Sequence, residues 1–105
     1  MAKMLNDRLA LHELLCEKLG SRNVYFQPPE SVKMKYPAIV YSRNRIESTS
    51  ADNIVYRQSV RYTITVIDRD PDGEIVERIS QIPRIMFDRS YISDNLNHDT
   101  FTLFV

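Results

Sequence analysis

The chain has 105 residues, with 14 basic and 14 acidic side chains and a formal net charge of zero. One domain fits that length and two do not, so residues 1–105 are read as a single domain. Zero net charge argues against coating nucleic acid or an acidic membrane by bulk electrostatics. A hydrophobic content of 43% argues against wholesale disorder.

Single residues exclude further classes. Cys16 is the one cysteine, so no intramolecular disulfide can form, and a reducing, cytosolic setting is expected. No apolar run approaches the roughly 20 residues of a membrane span. The charged start, Met1 to Arg8, does not suit a secretory leader. Gly20 and Gly73 are the only glycines, so Gly-rich phosphate loops are absent.

In chain order, residues 4–19 form the first predicted helix. Leu5, Leu9, His12, Cys16 and Leu19 recur at helical spacing, with Leu11 and Leu15 widening the stripe. Gly20 stands where a left-handed C-terminal cap belongs. Asn23 to Gln27 is a short strand, stopped by Pro28-Pro29. Tyr36 to Arg43 is the next strand. Residues 44–54 are polar and lack a period, so a mobile hairpin loop is expected there. Val55 to Ile67 is the clearest strand, with Val60, Tyr62, Ile64 and Val66 alternating with polar residues.

Residues 68–73, Asp-Arg-Asp-Pro-Asp-Gly, allow a β-turn or a helix start with Asp70 as N-cap. The spacing of Ile75, Ile79, Ile82 and Met86 favours a helix over about 71–87, kinked or ended at Pro83. Tyr91 to Ser93 and Thr100 to Val105 are short strands joined by a turn over 94–99. The order is α-β-β-β-α-β-β, an α+β domain with a mainly antiparallel sheet.

Candidate chemistry is thin. Asp68-x-Asp70-x-Asp72-Gly73 matches the start of an EF-hand loop, but Ile79 occupies the position of its bidentate glutamate. Helical spacing puts His12 beside Cys16, and two ligands do not make a structural zinc site. Asp88, Asp94 and Asp99 lie near His98 with no cleft implied. No catalytic residue, metal or cofactor is assigned, and the chain is read as a non-enzyme. Six tyrosines and four phenylalanines, mostly on predicted strands, read as core and interface residues.

Charge is more informative by segment. Residues 31–65 hold six basic against two acidic side chains, a net of +4. Residues 66–105 hold four basic against eight acidic, a net of −4. A subunit with a basic hairpin and an acidic face suits a head-to-tail contact. Arg43, Arg45, Ile46, Arg57 and Arg61 on the hairpin, with Asp70 and Asp72 on the acidic side, are the candidate contacts between subunits or toward a lumen.

Several phrases carry a resemblance. They are Lys35-Tyr36-Pro37-Ala38-Ile39-Val40-Tyr41, Ala51-Asp52-Asn53, Tyr62 through Asp72, Phe87-Asp88-Arg89-Ser90-Tyr91, and Asp94-Asn95-Leu96-Asn97-His98. Together they resemble small head–tail module proteins of long-tailed bacteriophages, of the tail terminator, tail completion or minor capsid type. The resemblance implies a structural virion protein. Its subunits would form a hexameric ring that caps the tail tube, stops its growth and meets the head connector. DNA would pass through transiently without specific binding. The implied partners are the chain itself, the tube protein and the connector, and the implied place is the tail or neck, assembled in the bacterial cytoplasm. A head-completion or connector adaptor is the alternative, followed by a small nucleic-acid-binding domain using the basic hairpin.

Overall fold

The computed structural model describes residues 8–47 and 58–104, the side chains of residues 45–47 and 58–59 excepted. The elements follow the expected α+β order: α1 (Arg8–Leu19), β1 (Val24–Phe26), β2 (Ala38–Glu47), β3 (Gln58–Asp68), α2 (Glu74–Ser80), β4 (Ile85–Ser93) and β5 (Leu96–Phe104). The five strands form one sheet in the order β1-β2-β3-β5-β4. Among the described residues only the β1–β2 pair is parallel.

Both helices lie over one face of the sheet. Leu11, Leu15, Cys16 and Leu19 of α1 and Ile75 and Ile79 of α2 pack with Ile39, Tyr41, Tyr62, Ile64, Val66, Phe101 and Leu103. Strand alternation puts the sheet members on one face, because Tyr41 pairs Ile64 and Ile64 pairs Phe101. Arg78 Nη1 donates to Lys18 O at 3.2 Å, tying α2 to the last turn of α1. The opposite face carries Thr63, Thr65, Thr100 and Thr102, partly covered by the segment from Pro28 to Met34.

Gly20 has φ 82° and donates to Cys16 O at 2.8 Å, the left-handed cap expected at that position. The buried stripe of α1 differs from the expected one. It is centred on Leu11, Leu15, Cys16 and Leu19, while Leu9 is 63% exposed and Leu5 lies outside the described residues.

The second helix is shorter than the sequence spacing predicts. It spans Glu74–Ser80 with Gly73 as N-cap, not 71–87 with Asp70 as N-cap. Residues 70–73 form the alternative β-turn, closed by Gly73 N donating to Asp70 O at 3.4 Å. The Asp68 carboxylate accepts from Asp70 N and the Asp70 carboxylate from Asp72 N. Such local bonds compete with helix formation. At the other end Pro83 disfavours helical geometry at Ile82, and Arg84 turns left-handed at φ 65°. The chain then enters β4, so Met86 and Phe87 are strand residues. The turn between β4 and β5 is also tighter than the expected 94–99. It is Asp94-Asn95 alone, both at positive φ, as a two-residue hairpin turn requires.

The expected loop over 44–54 is corrected in part. β2 continues through Glu47, with Arg45 opposite Val60, Ile46 opposite Ser59 and Glu47 opposite Gln58. Residues 48–54 lie outside the described residues.

Candidate assembly surfaces

Sheet register decides which surfaces the candidate residues form. The last β5 residue paired with β3 is Phe104, opposite Arg61. Three further β2–β3 pairs extend beyond that point with, among the described residues, no third strand beside them. At about 3.3 Å per residue the described part of this arm projects roughly 10 Å past the body of the sheet. Past that point residues 45–60 carry Arg45 and Arg57 against Glu47 and Asp52, a net of zero, and adding Arg43 and Arg61 at the base of the arm brings residues 43–61 to a net of +2.

The other end of the sheet is acidic. Residues 68–74 carry Asp68, Asp70, Asp72 and Glu74 against Arg69, a net of −3. The turn is pinned to β5, because Asn97 Nδ2 donates to Asp68 O and Arg69 O, both at 3.3 Å. A Cβ added to Gly73 would lie 2.5 Å from Asp68 Oδ2, so the carboxylate occupies space only glycine leaves open. Asp70 and Asp72 therefore sit together in one rigid turn, at the end of β3 opposite the arm.

The arginines are not brought into one patch. Arg43 pairs Tyr62 and so projects on the helix-bearing face, where its guanidinium lies 5.8 Å from the Phe26 ring. Arg61 pairs Asn44 and Phe104 on the opposite face, and its guanidinium lies 5.8 Å from the Phe104 ring. Arg45 and Ile46 have their backbones in the arm, with side chains outside the described residues. Arg57 lies outside the described residues altogether.

A polar cluster under α1 was not foreseen from sequence. Arg8 Nη1 donates to Tyr41 Oη at 3.4 Å, and His12 Nδ1 lies 2.8 Å from the same oxygen. The phenol proton is then available to His12 Nδ1, an assignment that matches a neutral imidazole. Burial, with the nearby Arg22 and Arg8 charges, lowers the His12 pKa below its ordinary 6.5, against a smaller opposing effect of Glu13. Burial likewise raises the Tyr41 phenol and the Cys16 thiol. Cys16 is buried among apolar neighbours, which holds it as the protonated thiol rather than a nucleophile. Arg8 also lies 4.5 Å over the Phe26 ring. The Tyr62 hydroxyl, by contrast, is buried with no hydrogen-bond partner among the described residues.

The remaining candidates do not converge. His98 stacks on Tyr91 with ring centroids 4.8 Å apart, while neighbouring Asp99 projects to the other face and accepts a hydrogen bond from Ser90. Asp88 accepts from Thr102 Oγ1 at 2.7 Å. Among the described residues no three His, Cys, Asp or Glu side chains form a metal-binding group.

One surface was missed by the sequence reading, which placed a strand only at its end, Tyr91 to Ser93. β4 is exposed along nearly its whole length, with Met86, Phe87, Tyr91 and Ile92 facing solvent. The predicted helix over 71–87 hid it. The β-forming run Ile85-Met86-Phe87 directly after Pro83-Arg84 was the available signal. Comparison with known proteins adds no relative: no protein-family model matches the chain, and no curated protein does.

Proposed function

We propose that the chain is a ring-forming structural subunit of the bacteriophage tail terminator type, which caps the tail tube and joins it to the head connector. The observation that carries this reading is polarity. The hairpin segment 43–61, of net charge +2 and ending in the two-stranded arm, leaves one end of the sheet, and a pinned acidic turn closes the other. Different patches at opposite ends generate head-to-tail contacts, and such contacts close into a ring when the rotation between subunits allows it. The resemblance of several phrases to head–tail module proteins implies the biological setting, six subunits in a virion neck through which DNA passes.

The mechanism has three parts. The body of the sheet under α1 and α2 holds the subunit's shape. The arm, with Arg45, Ile46 and Arg57 and with Arg43 and Arg61 at its base, reaches the neighbouring subunit or the lumen. Asp70 and Asp72 in the acidic turn receive a neighbour's positive charge, an attraction that speeds encounter and sets register more than it adds affinity. No catalytic residue, metal or cofactor enters this scheme. The distribution of Arg43 and Arg61 on opposite faces favours subunit contacts over a single nucleic-acid patch.

Deleting residues 46–53 tests the arm. The expected product keeps its far-UV circular dichroism and no longer terminates tails, so tubes grow over-long. Tubes of normal length would contradict the proposal. Full heads with detached tails of normal length would assign the chain to the adaptor step instead.

A further inference from the structure

β4 ends the sheet with nine residues and, among the described residues, only β5 beside it. The opposite edge, β1, has three residues and stops at Pro28-Pro29. On β4 Met86 is 60% exposed, Phe87 53% and Ile92 73%. A long apolar edge pairs with another strand unless a charge or bulge restricts it. β4 has both devices, and together they specify which strand fits.

The register against β5 slips between Phe87 and Arg89, leaving Asp88 as the extra residue. Before the slip, Ile85 and Phe87 lie on the helix-bearing face with Leu103 and Phe101, and Met86 lies on the other with Thr102. After it, Ser90 and Ile92 lie on the helix-bearing face with Asp99 and Asn97, and Arg89 and Tyr91 on the other. The bond from Thr102 Oγ1 places Asp88 on the face of Met86 and Arg89. Odd and even positions thus exchange faces at the bulge.

Backbone direction exchanges in the same way. Phe104 N donates to Arg84 O at 3.0 Å, so alternation turns Met86 toward β5 and Ile85 and Phe87 outward. Ser93 and Leu96 close the two-residue turn, so Arg89 and Tyr91 bond β5, and Ser90 and Ile92 point outward.

We propose that this edge binds β4 of a second copy of the chain, antiparallel, about a two-fold axis between Asp88 and Arg89. Ile85 then stands opposite the partner's Ile92, Met86 opposite the partner's Tyr91, Phe87 opposite the partner's Ser90, and Asp88 opposite the partner's Arg89. In each of these pairs both residues lie on the same face. Outward-bonding Ile85 and Phe87 meet the outward-bonding partner's Ile92 and partner's Ser90, so the ladder closes. Moving the axis by half a residue or one residue either way sets at least one pair on opposite faces. An unbulged strand meets the same mismatch, which is why the matching occupant is another copy. Asp88 and Arg89 have no ion-pair partner among the described residues, and the pairing makes two complementary contacts between them. The result is one ten-stranded sheet, isologous and closed at two copies. It uses neither the arm nor the acidic turn, so it goes beyond the ring reading. It gives the free subunit a resting state before any ring forms.

Sedimentation velocity and native mass spectrometry of the dilute full chain, below the concentration at which rings assemble, test this. The wild-type chain is expected to show a two-copy species. Asp88→Arg and Arg89→Asp each set like charges opposite one another, and each raises the dissociation constant about tenfold or more. Mixed together, those two variants regain a two-copy species containing one of each, because both contacts are complementary again. Ile92→Lys, at an exposed position, weakens the dimer with circular dichroism unchanged. A wild-type chain with no two-copy species overturns the proposal. So does a dimer indifferent to the charge variants, or a mixture that fails to recover.

Discussion

The body of the sheet and the arm that leaves it use the same two strands in different ways. Within the body, β2 and β3 lie between other strands and beneath α1, and Tyr41, Tyr62, Ile64 and Val66 are fully buried. Past Arg61 the same strands have, among the described residues, only each other. An isolated two-stranded hairpin is marginally stable at best in water. The body therefore carries the fold, while in the proposed assembly the arm would gain its support from the neighbouring subunit. A surface whose order depends on docking is a natural assembly element.

The largest expected separation of the two regions comes from a core truncation. Ile64→Ala removes a side chain packed from both sides and should cost about 2–5 kcal/mol, read from the denaturant midpoint. The 46–53 deletion should leave that midpoint nearly unchanged while abolishing tail termination. A deletion that destabilised the chain as much as Ile64→Ala would make the arm part of the fold and break the comparison.

The two buried tyrosines sharpen it within the body. Tyr41→Phe removes a hydroxyl held by Arg8 and His12, and should cost about 1 kcal/mol. Tyr62→Phe removes a buried hydroxyl with no partner among the described residues, and should be neutral or stabilising by up to about 1 kcal/mol. Equal losses from both would show that Tyr62 is as well satisfied as Tyr41.

A smaller effect follows from His12. Its pKa is lowered in the folded chain, chiefly by burial, so the unfolded chain takes up the proton first as pH falls. The contribution is complete above the ordinary value of 6.5 and is lost as pH falls from there toward the depressed folded value. Thermal midpoints measured from neutral pH down to about pH 5 should decline, and His12→Gln should flatten that decline. Glu13 is held low by its hydrogen bond from Arg22, so its own titration falls below this window.

The order of elements was legible because alternation in β3 and the apolar stripe of α1 are strong local signals. Two features were not. Ile75 and Ile79 do repeat on a helix, but Met86 continues their spacing only by coincidence and lies on an exposed strand. The helix ends at Ser80, with four residues between it and β4, and Pro83 with the left-handed Arg84 keeps it from running on to Met86. The candidate contacts were legible as charges but not as surfaces. Arg43 and Arg61 are close in the hairpin, yet register alone assigns them to opposite faces, and one residue of slip would reverse that. Asp70 and Asp72 converge because both belong to a single turn, where sequence proximity and spatial proximity coincide.

The central claim is that subunits join head to tail through the basic hairpin, residues 43–61, and the acidic turn. Native mass spectrometry of the concentrated full chain across a salt series tests it directly. The account predicts a closed six-subunit species at low salt that dissociates as salt rises, with the circular dichroism of the subunit unchanged. No six-subunit species at any salt, or a ring indifferent to salt, would contradict it.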